Sequence, residues 1–176
     1  MAFRCFAVSP CPACYNRPMR GNEKIIQYLN EVLKAELTAI NQYFLHAKMC
    51  DNWGYKRLAH HSREESVDEM KHAETCIERI LFLDGTPNMT ELFPIKVGNN
   101  VKAQHESDLA LEVAAVARLN NAIKAAVEVG DNASRELFEK ILIEEEHHID
   151  WLEAQLGLIK EIGLDNYLAQ QLHKEG

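Results

Sequence analysis

No apolar run in the 176 residues approaches the ~18 that a membrane-crossing helix needs, so no bilayer span is expected. Proline is scarce beyond residue 18, where only Pro87 and Pro94 occur. Because proline interrupts helices, the proline-free blocks 19–86 and 95–176 are each free to form a long helical hairpin. Basic charge is short: 19 Lys and Arg face 27 Asp and Glu, a net charge of −8. Residues 1–18 carry Arg4 and Arg17 and no acid, which leaves the remainder at −10. A nucleic-acid surface would concentrate positive charge, so that function is excluded, whereas a negative field attracts cations.

Cysteine is present without a framework. Cys5, Cys11 and Cys14 crowd the first 18 residues, and Cys50 and Cys76 stand alone beyond them. An odd, scattered set excludes a secreted disulfide scaffold and points to a reducing compartment, the cytoplasm. The Cys11–Cys14 pair has no second pair to complete a zinc or iron–sulfur site. Arg4, Pro10, Pro12 and Pro18 interrupt any apolar core that an export signal requires. Residues 1–18 are therefore read as a disordered N-terminal arm or an upstream reading ahead of Met19, and 19–176 as one domain.

Glycines mark the joints of that domain. Gly54 bisects the first block and Gly130 the second, Gly85 and Gly98 bracket the prolines, and Gly163 sets off the tail. Between them the apolar period is helical, through Ile25, Leu29, Val32, Leu33, Ile40 and Tyr43 in the first stretch. The later stretches repeat it with Leu109, Val116, Leu119 and Ile123, then Phe138, Ile141, Leu152 and Leu156. Four helices are predicted near 22–52, 55–83, 99–129 and 131–160, with a short fifth near 164–173. Asn22 is an expected N-cap, and Asn99 or Asn100 another. Tight joints at Gly54 and Gly130 make each block an antiparallel hairpin, and 84–98 is long enough to run the length of the bundle. The expected architecture is all-α: a four-helix bundle of two hairpins joined by one long crossover, the ferritin-like form.

Six chemistry-bearing residues fall on the apolar stripes. Glu36 lies between Leu33 and Ile40, and Glu112 between Leu109 and Val116. Carboxylates seldom occupy such faces without a partner. The second and fourth helices carry Glu69-x-x-His72 and Glu145-x-x-His148, and residues three apart share a helix face. The Glu-x-x-His pattern alone is weak, since 20 Glu and 8 His in 176 residues produce about one match by chance. The register is stronger. Glu36 precedes Glu69 by 33 positions, Glu112 precedes Glu145 by 33, and the two triplets repeat at 76. Glu144, which also fits Glu-x-x-His with His147, would pair with Leu111 at that offset and drops out. One Glu from each of two helices plus Glu-x-x-His from each of the others is the ligand set of carboxylate-bridged di-iron bundles. Four carboxylates balance two divalent ions, and an oxygen-rich shell with two imidazoles suits iron or manganese.

The chain resembles the bacterioferritins over about residues 19–176. The stretches that carry the likeness are Ala39-Ile40-Asn41-Gln42-Tyr43-Phe44-Leu45-His46-Ala47, Asp68-Glu69-Met70-Lys71-His72-Ala73 and His148-Ile149-Asp150-Trp151-Leu152-Glu153. The resemblance implies a hollow shell of 24 subunits that oxidises Fe(II) with O2 or H2O2 and stores ferric mineral. It implies bridging by Glu69 and Glu145, with Glu36 and His72 on one iron and Glu112 and His148 on the other. Met70 lies ~100° round its helix from Glu69 and ~160° from His72, away from the metal face. From spacing alone it is packing. The resemblance makes it the axial ligand of haem b, one haem per two subunits at a two-fold interface, reduced by a ferredoxin so that stored iron can leave.

Two positions depart from the family pattern: Cys76 where many members have a tyrosine, and Glu64 where some have a histidine. Glu64, Glu65 and Asp68 are a candidate transit site or else a solvated acidic face. Tyr43 and Trp151 are the aromatics left to supply electrons, against packing roles for both. His60, His61, His105 and His173 receive no role. A rubrerythrin-type peroxide reductase would need a cysteine-rich domain that one Cys-x-x-Cys cannot build. A DNA-shielding mini-ferritin would need a basic tail, and Leu172-His173-Lys174-Glu175-Gly176 is not one.

Overall fold

The computed structural model describes residues 20–173; the expected arm at 1–18, with the Cys11–Cys14 pair, lies outside the described residues. The chain order is α1 (Glu23–Trp53), α2 (Lys56–Phe82), α3 (Val101–Val129), α4 (Asn132–Ile162) and the short α5 (Leu164–Ala169). Among the described residues no helix is long and apolar enough to cross a membrane. The predicted boundaries hold within about two residues for α1 to α4. The local causes are visible. Asn22 accepts from the Lys24 N–H, Asn100 (not Asn99) from Ala103 and Asp131 from Ser134, each satisfying an orphan donor of a first turn. Gly54 and Gly130 adopt φ of 90° and 72°, a left-handed conformation that reverses the chain directly after α1 and α3.

The fifth helix is shorter than expected, ending at Ala169 rather than 173. The chain tightens there, with the Gln171 N–H donating to the Leu168 carbonyl. The Gln171 carbonyl is then taken by the Arg57 N–H at 3.1 Å. That bond spends the turn after α5 on capping the start of α2, which has no side-chain cap of its own.

α1 pairs with α2, α3 with α4, and the two hairpins face each other mainly through α1 and α3. The crossover runs beside α1 in the same direction, held by side chains along one face of that helix. Asn30 bonds Thr86 and Asn88, the Phe93 N–H donates to Thr38, the Lys96 N–H to Gln42 and the Gly98 N–H to His46. Positions 38, 42 and 46 recur at one-turn spacing, so a single helix face steers the long connection. Asp108 of α3 fastens the same face, at 3.0 Å from His46 Nδ1 and accepting from Gln42 at 2.8 Å.

Two apolar clusters plug the bundle. One contains Leu29, Leu33, Cys76, Ile80, Leu119 and Phe138; the other gathers Cys50, Leu58, Val101, Ile159 and Tyr167 at the opposite end. The carboxylates of the apolar stripes lie in the layer between them, so water is kept out along the bundle axis on both sides.

Candidate metal centre

Each of the four long helices brings one glutamate into that layer. Glu36, Glu69, Glu112 and Glu145 are all at most 2% exposed. His72 and His148 enter from α2 and α4, one turn beyond their glutamates. The six fall into two overlapping groups, Glu36–Glu69–His72–Glu145 and Glu69–Glu112–Glu145–His148, with donor atoms within 4.8 Å of one another in each. Glu69 and Glu145 belong to both. Glu69 sets Oε2 at 3.0 Å from His72 Nδ1 and Oε1 at 3.5 Å from His148 Nδ1. Glu145 divides its oxygens in the same way, at 3.4 and 3.3 Å. Glu36 lies 3.8 Å from His72 Nδ1 and Glu112 4.0 Å from His148 Nδ1.

The electrostatics of the layer are those of packed like charges. Burial first, then the neighbouring carboxylates, pushes Glu36 and Glu112 well above the usual carboxylate range. Burial also opposes the charge on Glu145, but the adjacent His148 and His72 imidazoles prevail and hold it at about 2. Burial would lower both imidazoles; instead Glu145 and Glu69 carry His148 up to about 10, and Glu145, Glu36 and Glu69 raise His72. Without metal the layer thus keeps protons that a divalent ion would displace. Glu36 Oε1, Glu69 Oε1, both oxygens of Glu145 and His148 Nδ1 are buried with no hydrogen-bond partner. Orphaned buried polar atoms cost about 1–3 kcal/mol each. Cations binding at these atoms would remove that cost, so the donor set fits a pair of divalent ions.

The other expected residues are placed differently. Met70 is 42% exposed and points away from the layer. Val67 lies one turn before it on the same stripe of α2 and Arg63 one turn earlier again, against the exposed ring of Phe44. An exposed thioether on a partly apolar face suits an axial haem ligand supplied from one side. Cys76 is fully buried in the apolar cluster, where burial pushes its thiol up. Glu64, Glu65 and Asp68 do not converge: Glu64 pairs with His60, Asp68 with Lys71, and Glu65 turns inward to His148. Tyr43 is buried and its hydroxyl donates to Glu112. Half-buried Trp151 stacks on His61 at 3.6 Å and meets the edge of His105, whose Nε2 lies 3.2 Å from the Tyr167 hydroxyl. His147 is exposed, so Glu144-x-x-His147 forms no part of the layer.

Two residues that spacing did not single out as ligand partners touch the imidazoles from behind. Glu144 Oε2 lies 2.7 Å from His72 Nε2, and Glu65 Oε2 3.0 Å from His148 Nε2. The only sequence signal for them is an acid one position before Glu145 and one turn before Glu69.

A profile of the ferritin-like domain matches residues 26–162. The chain is 50% identical over 152 residues to the bacterioferritin of Mycolicibacterium paratuberculosis, covering 86% of this chain and 96% of that one. It is 49% identical over 151 residues to the bacterioferritin of Streptomyces coelicolor, covering 86% and 90%. Against the bacterioferritin of Brucella melitensis it is 44% identical over 149 residues, covering 85% and 92%. Likeness of this degree over nearly the full length of each relative leaves one assignment: the chain belongs to the bacterioferritins, within the ferritin-like domain family.

Proposed function

We propose that this chain is an iron-storage ferroxidase whose substrate is Fe(II), bound at Glu36, Glu69, His72, Glu112, Glu145 and His148. The observation that supports it best is the sharing of Glu69 and Glu145 between two donor groups, each carboxylate offering one oxygen to either side. Two ions held by common bridges can deliver two electrons together. Each Fe(II) loses one electron, and O2 takes two electrons and two protons to become H2O2; where H2O2 is the oxidant, the same pair yields water. Glu36 and Glu112 close the outer sides, and the apolar plugs limit the access of water along the bundle axis.

The reading extends to the assembly. A shell of 24 copies would collect the ferric product as mineral, inside the cytoplasm, with residues 19–176 acting as one domain. Haem b held between Met70 and the equivalent methionine of a second copy would supply one-electron transfer for releasing stored iron, with a ferredoxin as reductant.

The test is anaerobic titration of the apo-protein with Fe(II), followed by stopped-flow mixing with O2. Saturation near two Fe(II) per chain with a fast ferric absorbance is expected. Fewer than one per chain, or oxidation no faster than that of free iron, would overturn the proposal.

A further inference from the structure

Both imidazoles present Nδ1 to the carboxylate layer and Nε2 to a carboxylate behind them. The ties are reciprocal. Glu65 of α2 holds His148 of α4 at 3.0 Å, and Glu144 of α4 holds His72 of α2 at 2.7 Å. An Nε2–H donated to a carboxylate leaves the lone pair on Nδ1, facing the layer, so each tie selects the metal-binding nitrogen and the ring orientation.

The surroundings of the two ties are unequal. The side chains of Glu65 and His148 are each 13% exposed, beside a void of about 10 Å³ walled by Tyr43, His61, His105 and Trp151. Glu65 also lies 3.7 Å from His61 Nδ1, on the imidazole that stacks against Trp151. Glu144 is 56% exposed, and it lines with His72 a cleft of about 430 Å³ between α2 and α4, together with Lys71, Thr75 and Lys140. Water competes for the Glu144 carboxylate far more than for the enclosed Glu65.

We propose, resting on the two-ion reading of the site, that Glu65 and Glu144 are reciprocal positioning residues and that their unequal burial makes the two ion positions unequal. The Glu112–His148 position is held the more tightly by the enclosed Glu65. The Glu36–His72 position is the exchangeable one, because its imidazole is oriented by a carboxylate half in water at the mouth of a cleft. The two halves of the repeat thus share ligands at matching positions and differ in the groups behind them.

Anaerobic titration of the full-length apo-protein with Co(II), followed by its d–d absorption, tests this without turnover. Wild-type protein is expected to take up two Co(II) per chain in two resolved steps, assigned by Glu112→Ala and Glu36→Ala, which each remove one. Glu65→Gln should weaken the tighter step by about 10- to 100-fold and alter its band shape. Glu144→Gln should weaken only the other, and less. Glu144 is a half-exposed side chain, so its variant folds even if the buried change at 65 proves disruptive. Two ions with both steps unaltered in Glu144→Gln, or both shifted equally, would overturn the inference alone. Fewer than two ions in the wild type would overturn the two-ion reading and this inference with it.

Discussion

The Tyr43 hydroxyl donates a hydrogen bond to the Glu112 carboxylate across the interface between the two hairpins. The donor lies on α1 and the acceptor on α3, 69 positions later, both at most 4% exposed. The phenol is therefore bound to one of the four site carboxylates as well as to the core. Replacing it with phenylalanine keeps the ring and removes the donor, leaving Glu112 Oε1 buried without its hydrogen bond. Tyr43→Phe should lower the stability of the metal-free protein by about 1–3 kcal/mol, read from thermal melting. Divalent metal should restore much of that loss, because Glu112 then has a cation to face.

Met70 and Glu69 are adjacent in sequence and opposite in aspect, 42% and 0% exposed. Met70→Leu should abolish haem uptake, seen as loss of the Soret band, while Fe(II) oxidation continues at its wild-type rate. Glu112→Ala should do the reverse, retaining haem and losing the fast phase of oxidation. An oxidation defect in Met70→Leu would show that the two faces of α2 are not separate.

Metal uptake should depend steeply on pH. Glu36 and Glu112 are raised by burial, and His148 is carried to about 10, so the metal-free site holds protons at neutral pH. A divalent ion must displace them, so binding releases protons and is favoured as pH rises. Each proton released lowers apparent affinity about tenfold per unit fall in pH. Zn(II) titration between pH 5.5 and 8, with proton release followed by pH-stat, measures this; uptake independent of pH would refute it.

His61 and His105 predict acid sensitivity outside the metal layer. Burial lowers both to about 4, below the ordinary 6.5. Above pH 6.5 both are neutral in the folded and unfolded chain, and they add no pH dependence. Between 6.5 and about 4 only the unfolded chain takes up the protons, so stability falls as pH falls. Each contributes on the order of 1–3 kcal/mol across that window. His105→Phe should flatten the decline in melting temperature between pH 6.5 and 4, and an unchanged slope would contradict the assignment.

Much of the architecture was legible because it depends on local chain geometry. Pro87 and Pro94 confine the interruptions to the crossover, Gly54 and Gly130 supply the conformation that reverses each hairpin, and Asn22 caps α1. The end of α5 was not legible, since the Gln171 carbonyl is engaged by a residue more than a hundred positions earlier. The spacing of the six layer residues was legible for the same reason as the hairpins. In antiparallel helices joined by a tight turn, equal offsets put Glu36 beside Glu69 and Glu112 beside Glu145. Register set Glu144 apart from the residues of the layer, and its contact with His72 could not be read from register.

The sequence by itself thus determined the four long helices, their pairing, and the six residues that share one layer, because helical period and turn chemistry are properties of short segments. Tertiary structure decided which oxygen of Glu69 and Glu145 faces which imidazole. It also decided that Glu65 and Glu144 stand behind those imidazoles with different burial, and that Glu64, Glu65 and Asp68 turn to separate partners. These outcomes depend on the rotation of each helix about its own axis and on rotamers chosen against two or three other helices. Such choices are made only when the hairpins pack, so no periodicity within one segment encodes them.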